Sequence, residues 1–284
     1  SEMCIRDRNM MRGDYVFYLK SSDNAKLAVE DINPAHQKTV VLVHGWPICQ
    51  EMYEYQKDIL NDCRYRIISY DIRGLGMSQV MGRGYDYDQL AIDLHSVLIT
   101  LNVHNVTLVG FSMGAAICVR YMSKFGKERV SKLVLAGAAV PSYTRTIHNP
   151  EGQSIDAVNQ LIEQCYTNRP KMVHDFGQNV FALNHGSEFM NWFTSICLKG
   201  SGIGTIQTAI SLRDEDVYQD LFEIKVTTLI MHGVLDKICP FSFALIMHEC
   251  IEDSILCKFE YSGHGIFYDE RERFNQVLID FIEQ

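Results

Sequence analysis

Val106-Thr107-Leu108-Val109-Gly110-Phe111-Ser112-Met113-Gly114-Ala115-Ala116 is the stretch on which the fold turns. Val106 to Val109 is a short apolar run rich in valine, the pattern of a strand buried on both faces. Ala115 to Ser123 can form a helix. Between them the Gly-x-Ser-x-Gly pentapeptide 110–114 sits in the strand, turn, helix setting that a nucleophile elbow requires. The flanking glycines let the backbone turn without a side-chain clash. Ser112 would then stand on a strained turn, its hydroxyl above the sheet, at the start of a helix whose dipole favours developing negative charge. The plain alternative is a glycine-rich turn with an inert serine; the strand and helix on either side favour the elbow.

The same rhythm runs outward in both directions. Thr39 to Val43, Arg66 to Tyr70, Leu133 to Leu135, Thr228 to Met231 and Leu256 to Tyr261 are further short runs rich in Val, Ile, Leu or Tyr. Each is too short for a helix. Tyr15 to Leu19 and Leu27 to Ile32 flank Ser21, Ser22, Asp23 and Asn24, which reads as an opening antiparallel hairpin. Leu90, Leu94, Val97, Leu98 and Leu101 share one helix face, with Asp88 and Asp93 off it, and Phe274, Val277, Leu278 and Phe281 stripe a closing helix. Strand, helix, strand repetition predicts an α/β fold with a mostly parallel, doubly wound sheet covered on both faces. Between residues 141 and 221 there are helical patterns and Gly-containing joints but no strand. That segment is expected to be a helical lid over the carboxyl edge of the sheet, inserted into a core formed by residues 15–140 and 222–284.

A serine alone is a poor nucleophile, so a carboxylate and then a histidine should follow it in the chain. Asp236, in Met231-His232-Gly233-Val234-Leu235-Asp236, comes just past one strand, and His264, in Ser262-Gly263-His264-Gly265, just past the next. Both would project from loops at the sheet edge that carries Ser112. His264 would take the serine proton and Asp236 would hold the imidazole tautomer. A turn aspartate and a surface histidine are the bland readings of each alone; three such residues in order at strand ends weigh against them. Acyl transfer also needs oxyanion donors. His44-Gly45-Trp46-Pro47 follows the strand at 39–43; Pro47 has no N–H to give, so the backbone N–H groups of Trp46 and Met113 are the candidates. His44 reads as a brace for that loop, and Asp71 to Ser78 as a glycine-punctuated turn shaping the floor of the site. Pro47, Phe181, Trp192 and Phe193 are candidate substrate-binding residues, although aromatics at helical spacing serve packing more often.

The whole composition narrows the field. A chain of 284 residues buries a core without staples, and its net charge of −9, with no clustered Lys or Arg, disfavours nucleic acid as a partner. Its apolar runs are too short to span a bilayer, so no membrane partner is expected. Nine cysteines, an odd number without a C-x-x-C pair, read as reduced thiols of a cytoplasmic protein. Neither they nor the histidines cluster at metal-ligand spacing, so neither a metal nor a cofactor is expected.

The motifs HGWP at 44–47, D-x-R-G-x-G-x-S at 71–78, GFSMG at 110–114, HG-x-x-D at 232–236 and GHG at 263–265 resemble those of the α/β-hydrolase superfamily from about residue 15 onward. In detail the chain looks most like the bacterial cofactor-free haloperoxidase and arylesterase group, with Arg120-Tyr121 after the elbow echoing its pattern. That resemblance implies Ser112 as nucleophile, Asp236 as acid and His264 as base. It further implies cleavage of small carboxylic esters through an acyl-enzyme, with perhydrolysis when peroxide replaces water. A lactone or carbon–carbon bond hydrolase could use the same triad, and a ligand receptor could retain the scaffold without turnover. Serine at 112 excludes the branch that uses aspartate there. A small-molecule ester is thus the expected partner; the sequence leaves oligomeric state open, a homodimer included. Residues 1–8, SEMCIRDR, resemble a translated sequencing-adaptor fragment of the kind found in metagenome-derived reading frames, and are expected to be a non-native extension.

Overall fold

The computed structural model describes residues 16–284. The readings of residues 1–8 and of Tyr15 lie outside these residues. Strands β1 (Val16–Lys20) and β2 (Lys26–Ile32) pair antiparallel across the 21–25 turn. They are followed by β3 (Thr39–Val43), α1 (Glu54–Asp62), β4 (Arg66–Tyr70), α2 (Tyr87–Thr100), β5 (Val106–Phe111), α3 (Met113–Phe125) and β6 (Val130–Ala136). Three helices then come without an intervening strand: α4 (Ile155–Val180), α5 (Gly186–Leu198) and α6 (Gly202–Asp214). The chain closes with β7 (Thr227–Gly233), α7 (Ser242–Cys250), β8 (Ser254–Phe259), α8 (Ile266–Asp269) and α9 (Arg271–Glu283).

All eight strands form one sheet in the order β1-β2-β4-β3-β5-β6-β7-β8, parallel from β4 to β8 and antiparallel at its opening. This is the mostly parallel α/β sheet expected from the alternating pattern. The unbroken apolar runs have a simple cause. β3 and β5 lie inside the sheet with helices over both faces, and every residue of each is buried. Because the parallel strands run the same way, the loops after β3, β5, β7 and β8 emerge at one edge, where sheets of this kind bind ligands.

The structure corrects two local expectations. The last strand spans Ser254–Phe259, two residues earlier than Leu256 to Tyr261. β8 is an edge strand with one neighbour, so of its residues only Phe259 is buried. Tyr261 falls in the following turn, where its N–H donates to the Glu270 carboxylate at 3.0 Å. Asp93, placed off the apolar face of α2, is buried: Arg73 donates to its two oxygens at 2.6 Å each, and to Asp23 at 2.8 Å. The partner comes from the loop after β4, so helical periodicity alone does not register it.

Within α4 the helix breaks at Asn168, whose φ of −156° and ψ of 71° are non-helical, two residues ahead of Pro170. The Asn168 side chain then accepts the N–H of Lys171 at 3.2 Å and starts the second half. No helix among the described residues is long and apolar enough to cross a membrane. The eight described cysteines are unpaired.

Candidate active site

Ser112 joins β5 to α3 with φ 54° and ψ −119°, a conformation that costs free energy for any residue with a β-carbon. The surroundings hold it there. Its N–H donates to Ala136 O at 3.0 Å, and its carbonyl accepts the N–H groups of Ala115 at 3.0 Å and Ala139 at 3.2 Å. The two glycines of the pentapeptide are required by close packing. A β-carbon on Gly110 would stand 2.6 Å from Ala115 Cα, and one on Gly114 would stand 2.4 Å from the carbonyl oxygens of Val43 and His44. The helix therefore starts directly against the end of β3.

The structure brings Ser112, Asp236 and His264 together. Ser112 Oγ lies 3.0 Å from His264 Nε2, and His264 Nδ1 lies 2.8 Å from Asp236 Oδ2. With the Nδ1–H tautomer, the imidazole donates to the carboxylate and accepts from the hydroxyl. Asp236 Oδ1 accepts the backbone N–H groups of Ile238 at 2.8 Å and Cys239 at 2.9 Å. All three side chains are buried. Burial by itself would raise the Asp236 pKa, but the imidazoles of His264 and His232 outweigh it and hold the carboxyl well below the usual range.

His232 is a contributor the sequence reading did not single out. Its Nε2–H donates to Cys239 O at 2.8 Å and stands 3.4 Å from Asp236 Oδ2. The four-residue spacing of HG-x-x-D was the available signal.

His44 is a brace. Its Nε2 accepts the N–H of Ile72 at 2.9 Å, so Nδ1 carries the proton and donates to Gly45 O at 2.8 Å. Burial drives its pKa down to about 4, which keeps the ring neutral. Asp71 Oδ1 lies 3.9 Å from that ring. Burial raises Asp71 to about 6, against the opposing pull of the N–H bonds it accepts from Gln50 and Met77.

The backbone N–H groups of Trp46 and Met113 have no acceptor among the described residues. Trp46 is fixed from the helical segment: its indole N–H donates to Thr205 O at 2.8 Å, and its ring meets Phe176 edge-on at 5.2 Å. A small cavity opens on Ser112, walled by Trp46, Tyr143, Phe176, Leu212 and Ile238. Pro47, Phe181, Trp192 and Phe193 are not in its wall. The last three pack instead in an aromatic cluster with Phe189 and Tyr268. Phe176, from the second half of α4, holds the place expected for them. Which face of a broken helix turns inward is a tertiary fact that residue spacing does not carry.

Such an arrangement, a buried serine, histidine and aspartate in sequence beside two free N–H groups and a small apolar cavity, can transfer an acyl group. Comparison with known proteins agrees with the architecture. A family model described as alpha/beta hydrolase fold matches residues 38–201. An AB hydrolase superfamily protein of Bacillus subtilis, YisY, is 40% identical over 264 residues, covering 93% of this chain and 98% of that protein. Among solved structures, an esterase from Exiguobacterium antarcticum superposes with a TM-score of 0.92 at 45% identity, covering 94% of this chain and 99% of its own. A bromoperoxidase from Bacillus anthracis does so with a TM-score of 0.87 at 30% identity, covering 94% and 100%.

Proposed function

The chain belongs to the α/β-hydrolase family of enzymes, and from that premise we propose that it is a serine esterase that cleaves small carboxylic esters through an acyl-enzyme. The observation that carries the reading is the buried hydrogen-bonded series Ser112, His264, Asp236 beside a small, largely apolar cavity. Ser112 Oγ attacks the ester carbonyl as His264 Nε2 takes its proton, and Asp236 stabilises the imidazolium that forms. The N–H groups of Trp46 and Met113 bind the tetrahedral oxyanion. His264 then returns the proton to the departing alcohol. Water, activated by the same imidazole, releases the acid and restores Ser112.

The likeness to an esterase and to a bromoperoxidase supports a second reaction at the same site. Hydrogen peroxide in place of water would attack the acyl-enzyme and leave as the peracid, with proton transfers to and from His264 unchanged. The apolar walls of the cavity and its small volume support short acyl groups as substrates.

The test is turnover of p-nitrophenyl acetate by the wild-type protein and by Ser112→Ala. Multiple turnovers lost in the variant are expected. A wild-type protein that binds esters without turning them over, or a fully active Ser112→Ala, would refute the esterase reading. Adding peroxide and acetate esters together tests the second reaction by the appearance of peracetic acid.

A further inference from the structure

His264 stands between two glycines, and both press against the chain that leaves α4. A β-carbon on Gly263 would lie 2.9 Å from Ala182 N and Val180 O, and one on Gly265 only 2.3 Å from the Phe181 ring. Gly265 N–H donates to Val180 O at 2.8 Å. The glycines flanking the histidine are thus small because a strap, residues 180–185, lies across them.

One carboxylate fastens that strap to the histidine loop. Asp269 Oδ2 accepts the N–H of Gly263 at 2.8 Å and that of Ala182 at 2.8 Å. Its Oδ1 accepts His185 Nε2–H at 2.7 Å and Leu183 N–H at 3.2 Å. The side chain is fully buried. Local structure explains the position: α8 begins right after the histidine loop, and Asp269 N–H donates to Gly265 O at 2.9 Å, which folds the carboxylate back beneath Gly263. A buried carboxylate is retained only when such donors replace its water, and hydrogen bonds to an ionised acceptor are the stronger kind.

We propose that Asp269 is a positioning residue that joins the 180–185 strap to the 263–265 loop, so that the helical insertion and His264 are set as one piece. The inference rests on the reading of Ser112 and His264 as nucleophile and base. Asp269 touches no reacting atom. Its removal would let the imidazole drift from Ser112 Oγ, and proton transfer is steeply sensitive to that geometry, whereas binding of a short ester in the cavity is not.

Asp269→Asn in the full chain tests this, because it keeps the size of the side chain but replaces one accepting oxygen by an NH2 that faces N–H donors. The expected result is a fall in kcat for p-nitrophenyl acetate of about 10- to 100-fold, with KM changed by less than about twofold. Phosphonylation of Ser112 by a fluorophosphonate should slow by the same factor. Gly265→Ala approaches from the other side, pushing on Phe181 while keeping the Asp269 carboxylate. It should lower kcat likewise, and Phe181→Leu added to it should restore most of the loss. Rates are expressed per titrated active site, so that misfolded protein does not count. Wild-type kcat per active site in Asp269→Asn overturns the proposal. If that variant does not fold, wild-type kcat in Gly265→Ala overturns it instead. A Ser112→Ala protein with undiminished esterase activity would remove the esterase reading itself, a result distinct from either.

Discussion

Gly45 is packed directly on Ser112: a β-carbon built on Gly45 would stand 2.9 Å from Ser112 Cβ and 3.1 Å from Phe111 O. The loop that carries the Trp46 N–H therefore rests on Ser112 with no room for a methyl group. Gly45→Ala must push the loop away and carry that N–H with it. The expected loss in kcat/KM for p-nitrophenyl acetate is about 100-fold, the scale of one lost oxyanion donor, with far-UV circular dichroism retained. Unaltered turnover would dismiss Trp46 as a donor.

The positive φ of Ser112 makes a stability prediction separate from chemistry. Alanine at 112 keeps the strain, while glycine relieves it. Ser112→Gly should unfold at higher urea concentration than Ser112→Ala, with a difference of about 1 kcal/mol once the greater freedom of glycine in the unfolded chain is subtracted. Both should be inactive. Equal midpoints would mean that the turn stores no strain.

His44 and Asp71 give stability opposite dependences on pH. His44 protonates near 6.5 in the unfolded chain but only at about 4 in the folded one, so between these values the unfolded chain holds more protons and stability falls as pH drops. Asp71 does the reverse: burial raises it from 3.8 to about 6, so the folded chain holds more protons in that window and stability rises as pH drops. Each contributes about 3 kcal/mol at saturation, and the two nearly cancel. Relative to wild type, His44→Gln should gain stability on going from pH 6.5 to 4, and Asp71→Asn should lose it. Urea titrations across that range decide; parallel profiles for all three proteins would count against this pairing.

On the esterase reading, the cavity wall should set acyl-chain length. Wild-type kcat/KM should be highest for acyl groups of about two to four carbons, since Phe176 and Leu212 are bulky side chains in the wall of the small cavity at Ser112. Phe176→Ala should move the optimum up by about two methylenes or more, read from a p-nitrophenyl ester series. An unchanged optimum would place the acyl group elsewhere.

Asp93→Ala leaves the fully buried Arg73 with only the partly exposed Asp23 as a carboxylate partner. A loss of about 3 to 5 kcal/mol is expected, visible as a large fall in urea midpoint. Asp93→Ala within 1 kcal/mol of wild type, about the size of a surface pair, would show that Asp23 suffices.

What the sequence reveals here is what is local. Ser112 and Asp236 can be placed at strand ends because each follows a run buried almost throughout, and runs of that kind announce themselves residue by residue; His264 follows a partly exposed edge strand and is marked instead by the glycines on either side of it. Asp93 could not be read, since its partner Arg73 arrives from a different loop and helical spacing records only the apolar stripe. Sequence does not separate Phe176 from Phe181, Trp192 and Phe193, because all four are aromatic residues of one helical segment. Only the break at Asn168 and the docking of the segment on Trp46 decide which of them faces Ser112. Tyr261 joined the last strand on paper for a similar reason: the Glu270 bond that turns the chain there comes from beyond the histidine loop.

The backbone angle at Ser112 also sets the order in which a refolding chain becomes active. An unpacked turn has no reason to adopt φ 54°, and it is held there only after β3 and β6 have closed on β5. His264, whose Nε2 meets the Ser112 hydroxyl, must still be delivered from 152 residues farther along the chain. Helices and hairpins form early, while contacts of such separation come late. Esterase activity should therefore be the last signal to recover after dilution from denaturant, trailing circular dichroism. A half-assembled chain would carry no armed nucleophile, so regain of turnover measures completed molecules alone.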